Sequence, residues 1–252
     1  MRWLALALLA VAAPLRAEEV VLGLSREQVS ITTNFEGSEI LIFGAVKREA
    51  PIRADPPLEV VITVAGPSRP VTVRRKARVA GIWVNTEAVE IDRAPSFYAV
   101  ATSGPLGEVL DDTEDLRHGV SIPRAIRSVG APPEVADAAA FTDALIRIRA
   151  RAGLYAMEEG AVEVTDQTLF STAIDMPANL TEGDYDTRIF LTREGRVVAE
   201  FATEIGVRKV GLERFLFTLS RERPLAYGLL SLAIAIAAGW GASAAFRALR
   251  PG

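Results

Sequence analysis

From Leu225 to Phe246 the chain runs for 22 residues without a charged side chain. At 1.5 Å per residue a helix of that length reaches about 33 Å, enough to cross the hydrocarbon of a bilayer. The segment 224–247 therefore reads as a transmembrane helix, with 248–252 as a short cytoplasmic tail. Tyr227 and Trp240 suit the interfaces, and Arg247 and Arg250 suit a stop to transfer. Whatever else folds here folds beside a lipid bilayer.

The span is rich in small residues. Ser231, Ala235, Gly239 and Ser243 recur every fourth position, with Ala237, Gly241 and Ala245 in a neighbouring row. Such rows let two helix backbones approach closely, so this face is expected to contact a partner helix, in another membrane protein or in a second copy. The competing reading is that alanine and glycine are simply frequent in membrane helices.

A second apolar run, Trp3 to Ala13, follows Arg2 and spans 11 residues. That suits the core of a signal peptide and is too short for a bilayer. Leu15 and Ala17 are acceptable at the −3 and −1 positions for cleavage before Glu18, so 1–17 is expected to be a leader. A buried N-terminal helix is the alternative. Without cysteine there is no lipoprotein anchor, disulfide framework or thiolate metal site. Leader and span together predict an exported body with a short cytoplasmic tail. Arg208, Lys209, Arg214, Arg221 and Arg223 lie on the expected outer side and oppose the positive-inside bias. The leader engages first, however, and long domains translocate largely regardless of charge. The stretch 209–223, with Phe215, Leu216, Phe217 and Leu219 around Arg214, reads either as an interfacial helix or as the first turns of the span.

Half the residues are apolar and 24% charged, so a packed body is expected. Its net charge of −4 points to no nucleic-acid partner. Between Glu19 and Ser103, about seven β-branched runs of period two are separated by turn signals such as "FEGS", "RADPP" and "AGPSRP". The expected fold class is mainly β, an immunoglobulin-like β-sandwich over 18–105 with Trp83 as its core tryptophan. A helical insert over 106–158 follows. Within it, Pro132 and Pro133 suit a helix start, and Ala138, Phe141, Leu145, Ile148 and Leu154 a buried face. Strands return over 159–208, with "REG" as a hairpin turn. These last strands either complete the first sheets or make a small second one.

Little in the chain suggests chemistry. No phosphate loop, dinucleotide fingerprint or nucleophile elbow occurs, so no cofactor is expected and the protein reads as non-enzymatic. The single histidine, His118, follows Glu114 by four residues and Asp115 by three, so on a helix it shares a face with a carboxylate. Glu114, Asp115 and His118 are the candidate metal ligands, and any hydrolytic site would have to be built on His118. The plainer alternative is a solvated segment whose carboxylates pair with Arg117 and Arg124. Arg74, Lys76 and Arg78 share one strand face, which suits anionic lipid or an acidic partner, or else, as the plainer alternative, a solvated sheet face or a charged edge that blocks strand addition.

Several stretches carry a resemblance: "GLSREQVSITTNFEGSEILIFGAVKRE", "PVTVRRKARVAGIWVNTEAVEIDRAPSFYAVATSGPL", "DDTEDLRHGVSIPRAI" and the ending from "VGLERFLFTLSRERPLAYGLL" to "GWGASAAFR". With them the chain resembles an uncharacterised alphaproteobacterial transmembrane protein family over nearly its whole length. The resemblance implies an inner-membrane protein with a periplasmic body, no assigned activity and a neighbouring sulfite-exporter-type permease. Its tail, "FRALRPG", is less basic than the family leads one to expect. The expected function is an accessory or scaffold subunit of another membrane protein such as a transporter. The alternative is a periplasmic module that binds or senses a small ligand or metal.

Overall fold

The computed structural model describes residues 19–25, 28–31, 35–47, 55–128, 135, 137–209, 216 and 219–249. The expected leader, the helix start at 132–134, most of the 209–223 segment and the last three residues lie outside them. The chain divides into two compact units, one of 1–29 with 36–207 and one of 30–35 with 208–252.

Strands come first: β1 (Glu19–Leu24), β2 (Gln28–Ile31), β3 (Gly37–Lys47), β4 (Glu59–Ala65), β5 (Ser68–Val79), β6 (Ile82–Pro95) and β7 (Tyr98–Thr102). Three short helices follow, α1 (Leu106–Val109), α2 (Asp112–His118) and α3 (Ile122–Ala125), and then α4 (Ala139–Arg151). The chain returns to strands with β8 (Tyr155–Glu158), β9 (Glu163–Thr165), β10 (Leu169–Pro177), β11 (Gly183–Arg193) and β12 (Arg196–Lys209), and ends in α5 (Pro224–Leu249). The protein is mainly β, with one apolar C-terminal helix.

Two sheets make the body, in the orders β1-β3-β10-β9 and β2-β12-β11-β4-β7-β8, while β5 and β6 form a separate two-stranded sheet, with one further bridge from Arg93 to Arg127. Strands from 159–208 thus complete sheets begun in the first hundred residues. β10 runs antiparallel along β3, with Ile174 opposite Ile40, and β11 along β4, with Ile189 opposite Ile62. The sheets cut across the boundaries expected at 105 and 159. One pair, β7 with β8, is parallel. A parallel pair needs a crossover, and the helical segment is that crossover.

Alternation sets which rows face inward. On β3, Ile40, Ile42 and Val46 are buried while Leu41 and Phe43 are exposed. At the centre of the larger sheet alternation disappears, because β4 is buried on both faces from Val60 to Val64. Val61 joins Phe190, Tyr98 and Val100 in a cluster closed by Val109 and Leu145 from the helices and by Leu110 and Val120 from the turns beside them. Val60, Ile62, Ile189 and Leu191 are buried in the opposite row. The expected "REG" hairpin joins β11 to β12, with positive φ at Glu194 (50°) and Gly195 (74°). That pair matches the twist of antiparallel strands.

Two expectations fail. Trp83 is 69% exposed and belongs to no core, because it lies near the tip of the β5–β6 hairpin, which has no second sheet behind it. Tyr98, Tyr185, Phe97 and Phe190 fill the core as the large aromatic residues instead. On α4, Phe141 and Leu145 are buried as expected, but Ile148 is exposed. At that end of the helix Arg149 takes the inner position, donating to the Pro95 carbonyl and lying 5.4 Å from the Tyr155 ring centroid. α4 begins at Ala139, where Asp137 Oδ1 accepts the Ala140 N–H at 3.3 Å.

Candidate functional site

The segment singled out for chemistry folds as α2. Asp111 precedes it in an extended conformation, and Asp112, Glu114 and Asp115 fill the first turn, where the helix dipole favours negative charge. Arg117 and His118 lie in the last turn, and Gly119 (φ 60°) ends the helix with its N–H on the Asp115 carbonyl at 2.7 Å. Two contacts fix α2 to the sheet. The Tyr98 hydroxyl donates to the Val120 carbonyl at 2.7 Å, and Arg188 Nη1 donates to the His118 carbonyl at 2.7 Å.

Of the three expected ligands the structure brings two together. Glu114 is buried, with Oε1 2.7 Å from Arg117 Nη1 and Oε2 3.5 Å from His118 Nε2. Asp115 is turned to other work: its Oδ1 accepts the N–H groups of Val120 at 3.0 Å and Ser121 at 2.7 Å, holding the turn after the helix. A carboxylate occupied by two backbone donors in this way is a structural element of the loop.

Glu200, on β12, was not legible from sequence. Its Oε2 lies 3.4 Å from His118 Nδ1, so the imidazole sits between two carboxylates. The β11–β12 register explains the placement. Glu200 is the cross-strand partner of Phe190, and the His118 ring stands edge-on to Phe190 with centroids 5.3 Å apart. Glu200 belongs to an alternating run and carries no local sign of this role. Among the described residues no group of three or more His, Cys, Asp and Glu side chains is arranged to hold a metal ion. Beside this cluster, Asp111, Thr113, Glu114, Arg117 and Arg196 line an open polar hollow of about 360 Å³. Its walls carry both signs of charge. Chemically the arrangement is a run of polar contacts from Arg117 through Glu114 and His118 to Glu200, which brings α2 against β12 with both histidine nitrogens facing carboxylates.

α5 presents a different kind of surface. Its stretch Pro224–Ser243 is 20 residues long with a mean hydropathy of 1.7, and none of it is buried. Among the described residues it is the one helix long and apolar enough to cross a membrane. The expected contact residues Ser231, Ala235, Gly239 and Ser243 all lie on it, and Ser231 Oγ donates to the Tyr227 carbonyl at 2.9 Å. That bond satisfies the hydroxyl within the helix.

A family model described as "Putative transmembrane protein (Alph_Pro_TM)" matches residues 19–248. The chain belongs to this family. The match begins at the first residue of β1 and ends one residue short of the end of α5, so Alph_Pro_TM takes in both the β body and the span. No curated protein gives a significant match to the chain. Membership of Alph_Pro_TM therefore supplies a membrane setting and no reaction.

Proposed function

We propose that this protein is an exported, single-pass inner-membrane protein that works without catalysis, as an accessory or scaffold subunit of another membrane protein. A transporter is the partner class that the resemblance suggests. The observation that carries the reading is the row of small residues on α5, Ser231, Ala235, Gly239 and Ser243, on an apolar helix whose span is unburied. Helices in lipid gain little from apolar burial, so association depends on close backbone approach, which such a row permits. Export is supported by a family match that starts at Glu19, two residues beyond the expected cleavage after Ala17. In that orientation the β body is periplasmic and the end of α5 is cytoplasmic.

A C-terminally tagged chain is captured from native membranes in mild detergent, as the wild type and with Ala235→Leu and Gly239→Leu together. The expected result is a stoichiometric membrane protein that the variant loses while the body keeps its melting temperature. If neither sample holds a partner, the row is ordinary membrane composition.

The second reading, a periplasmic small-ligand or metal-binding module, draws on the polar hollow beside Glu114. Wild type and His118→Ala are compared for a ligand-dependent melting shift. On the accessory reading, His118→Ala costs about 1–2 kcal/mol of stability through lost packing on Phe190 and leaves capture of the partner unchanged.

A further inference from the structure

The β5–β6 hairpin has a construction that neither the packing of the body nor the accessory reading uses. Its root is held firmly. Val89 and Ile91 are buried, and Arg75 pairs with Glu87 at 2.9 Å and lies 4.6 Å from the Phe141 ring centroid on α4. Beyond Arg75 and Glu87 the two strands continue as a ribbon that, among the described residues, pairs with no other strand, five residues to the turn at Ala80 and Gly81, or about 16 Å. A bulge at Arg75/Lys76, where the Thr86 hydroxyl donates to the Arg75 carbonyl at 3.4 Å, sets the ribbon's final twist.

The two faces of this ribbon differ. Register puts Val79 opposite Ile82 and Ala77 opposite Val84 on one face, and Arg78 opposite Trp83 and Lys76 opposite Asn85 on the other, in line with Arg74. At the tip Val79, Ile82 and Trp83 are 50%, 65% and 69% exposed. Single exposed apolar residues need no explanation, but three at the end of a projecting ribbon, two on one face and a tryptophan on the other, do. From Arg74 to Thr86 the sequence holds four cationic side chains and no carboxylate, in a chain whose net charge is −4.

We propose that this hairpin is a lipid-docking device: its tip inserts Val79, Ile82 and Trp83 into the headgroup region of a bilayer rich in anionic phospholipid, while Arg74, Lys76 and Arg78 meet the phosphates. Trp favours the membrane–water interface, long basic side chains keep their charge at headgroup level while their stems lie in apolar surroundings, and basic clusters are drawn to anionic leaflets. An apolar tip backed by cations complements such a surface on both counts, whereas an acidic protein would match the cations and leave the tip uncovered. The helix α5 gives the chain a bilayer to meet. This inference is independent of the accessory reading and survives its failure.

The test uses the full chain in nanodiscs of phosphatidylcholine, with and without phosphatidylglycerol. Because the chain has no cysteine, Ile82→Cys or Thr72→Cys provides a single site for an environment-sensitive fluorophore. At position 82 the expected result, with anionic lipid, is quenching by doxyl-labelled lipid and protection from aqueous iodide. At position 72, near the root, iodide quenches and doxyl lipid does not. Adding Arg74→Gln, Lys76→Gln and Arg78→Gln to the Ile82→Cys chain lowers the insertion equilibrium by about 100-fold, at roughly fivefold per charge. An unchanged melting temperature shows that these exposed changes leave the fold intact. Iodide quenching at position 82 in both bilayers overturns the proposal. So does protection from both quenchers, which would mean that protein covers the tip.

Discussion

At the scale of single residues, the buried tyrosines have the clearest consequence. Burial pushes Tyr98 and Tyr155 up from the ordinary 10.0 to about 12, against the opposing pull of Arg188 on the first and Arg149 on the second. Tyr185 is raised by burial too. The folded state therefore holds these phenolic protons more tightly than the unfolded chain does. Their contribution to stability is whole below pH 10 and is lost as the pH climbs from 10 towards 12. Urea midpoints measured across that interval should fall steeply. Tyr98→Phe should flatten the fall while costing about 1–3 kcal/mol at neutral pH, because the Val120 carbonyl loses its buried donor. A pH profile identical to that of the wild type would mean that Tyr98 does not govern the alkaline limb.

At the scale of elements, α4 shows what periodicity can and cannot find. Phe141 and Leu145, four residues apart, were legible as the buried face and are buried; Ile148, a turn later, is 58% exposed. Phe141→Ala and Leu145→Ala should each cost about 2–5 kcal/mol, and Ile148→Ala less than about 0.5, in chemical denaturation. A large loss at Ile148 would contradict the orientation of the helix. Spacing describes a face, but a competing partner at one end decides how far the face extends, and here Arg149 found Pro95 and Tyr155. Trp83 failed for a related reason. A strand's alternation is the same whether or not a second sheet covers it, so sequence could locate β6 and not its exposure. The candidate site divides along the same line. The i,i+4 relation of Glu114 and His118 is local and was readable, whereas Glu200 arrives only through the β11–β12 register and Asp115 is withdrawn by two backbone donors.

At the scale of the whole molecule, the strand order decides what can fold alone. β4 sits between β7 and β11, and β3 between β1 and β10, so a fragment of residues 18–105 lacks a neighbour for each of these two strands. That fragment should show no cooperative thermal transition by circular dichroism; a sharp transition would restore the idea of a self-sufficient N-terminal sandwich. The same pairing has a consequence in time. β3 ends at Lys47 and its partner β10 starts at Leu169, 122 residues later. At ribosomal rates of about 5–20 residues per second, that gap is roughly ten seconds. Throughout it Ile40, Ile42 and Val46 have β1 on one side and nothing on the other. A newborn chain of this kind carries a half-built sheet with one sticky margin, so its survival depends on how well that margin is shielded until the last third arrives.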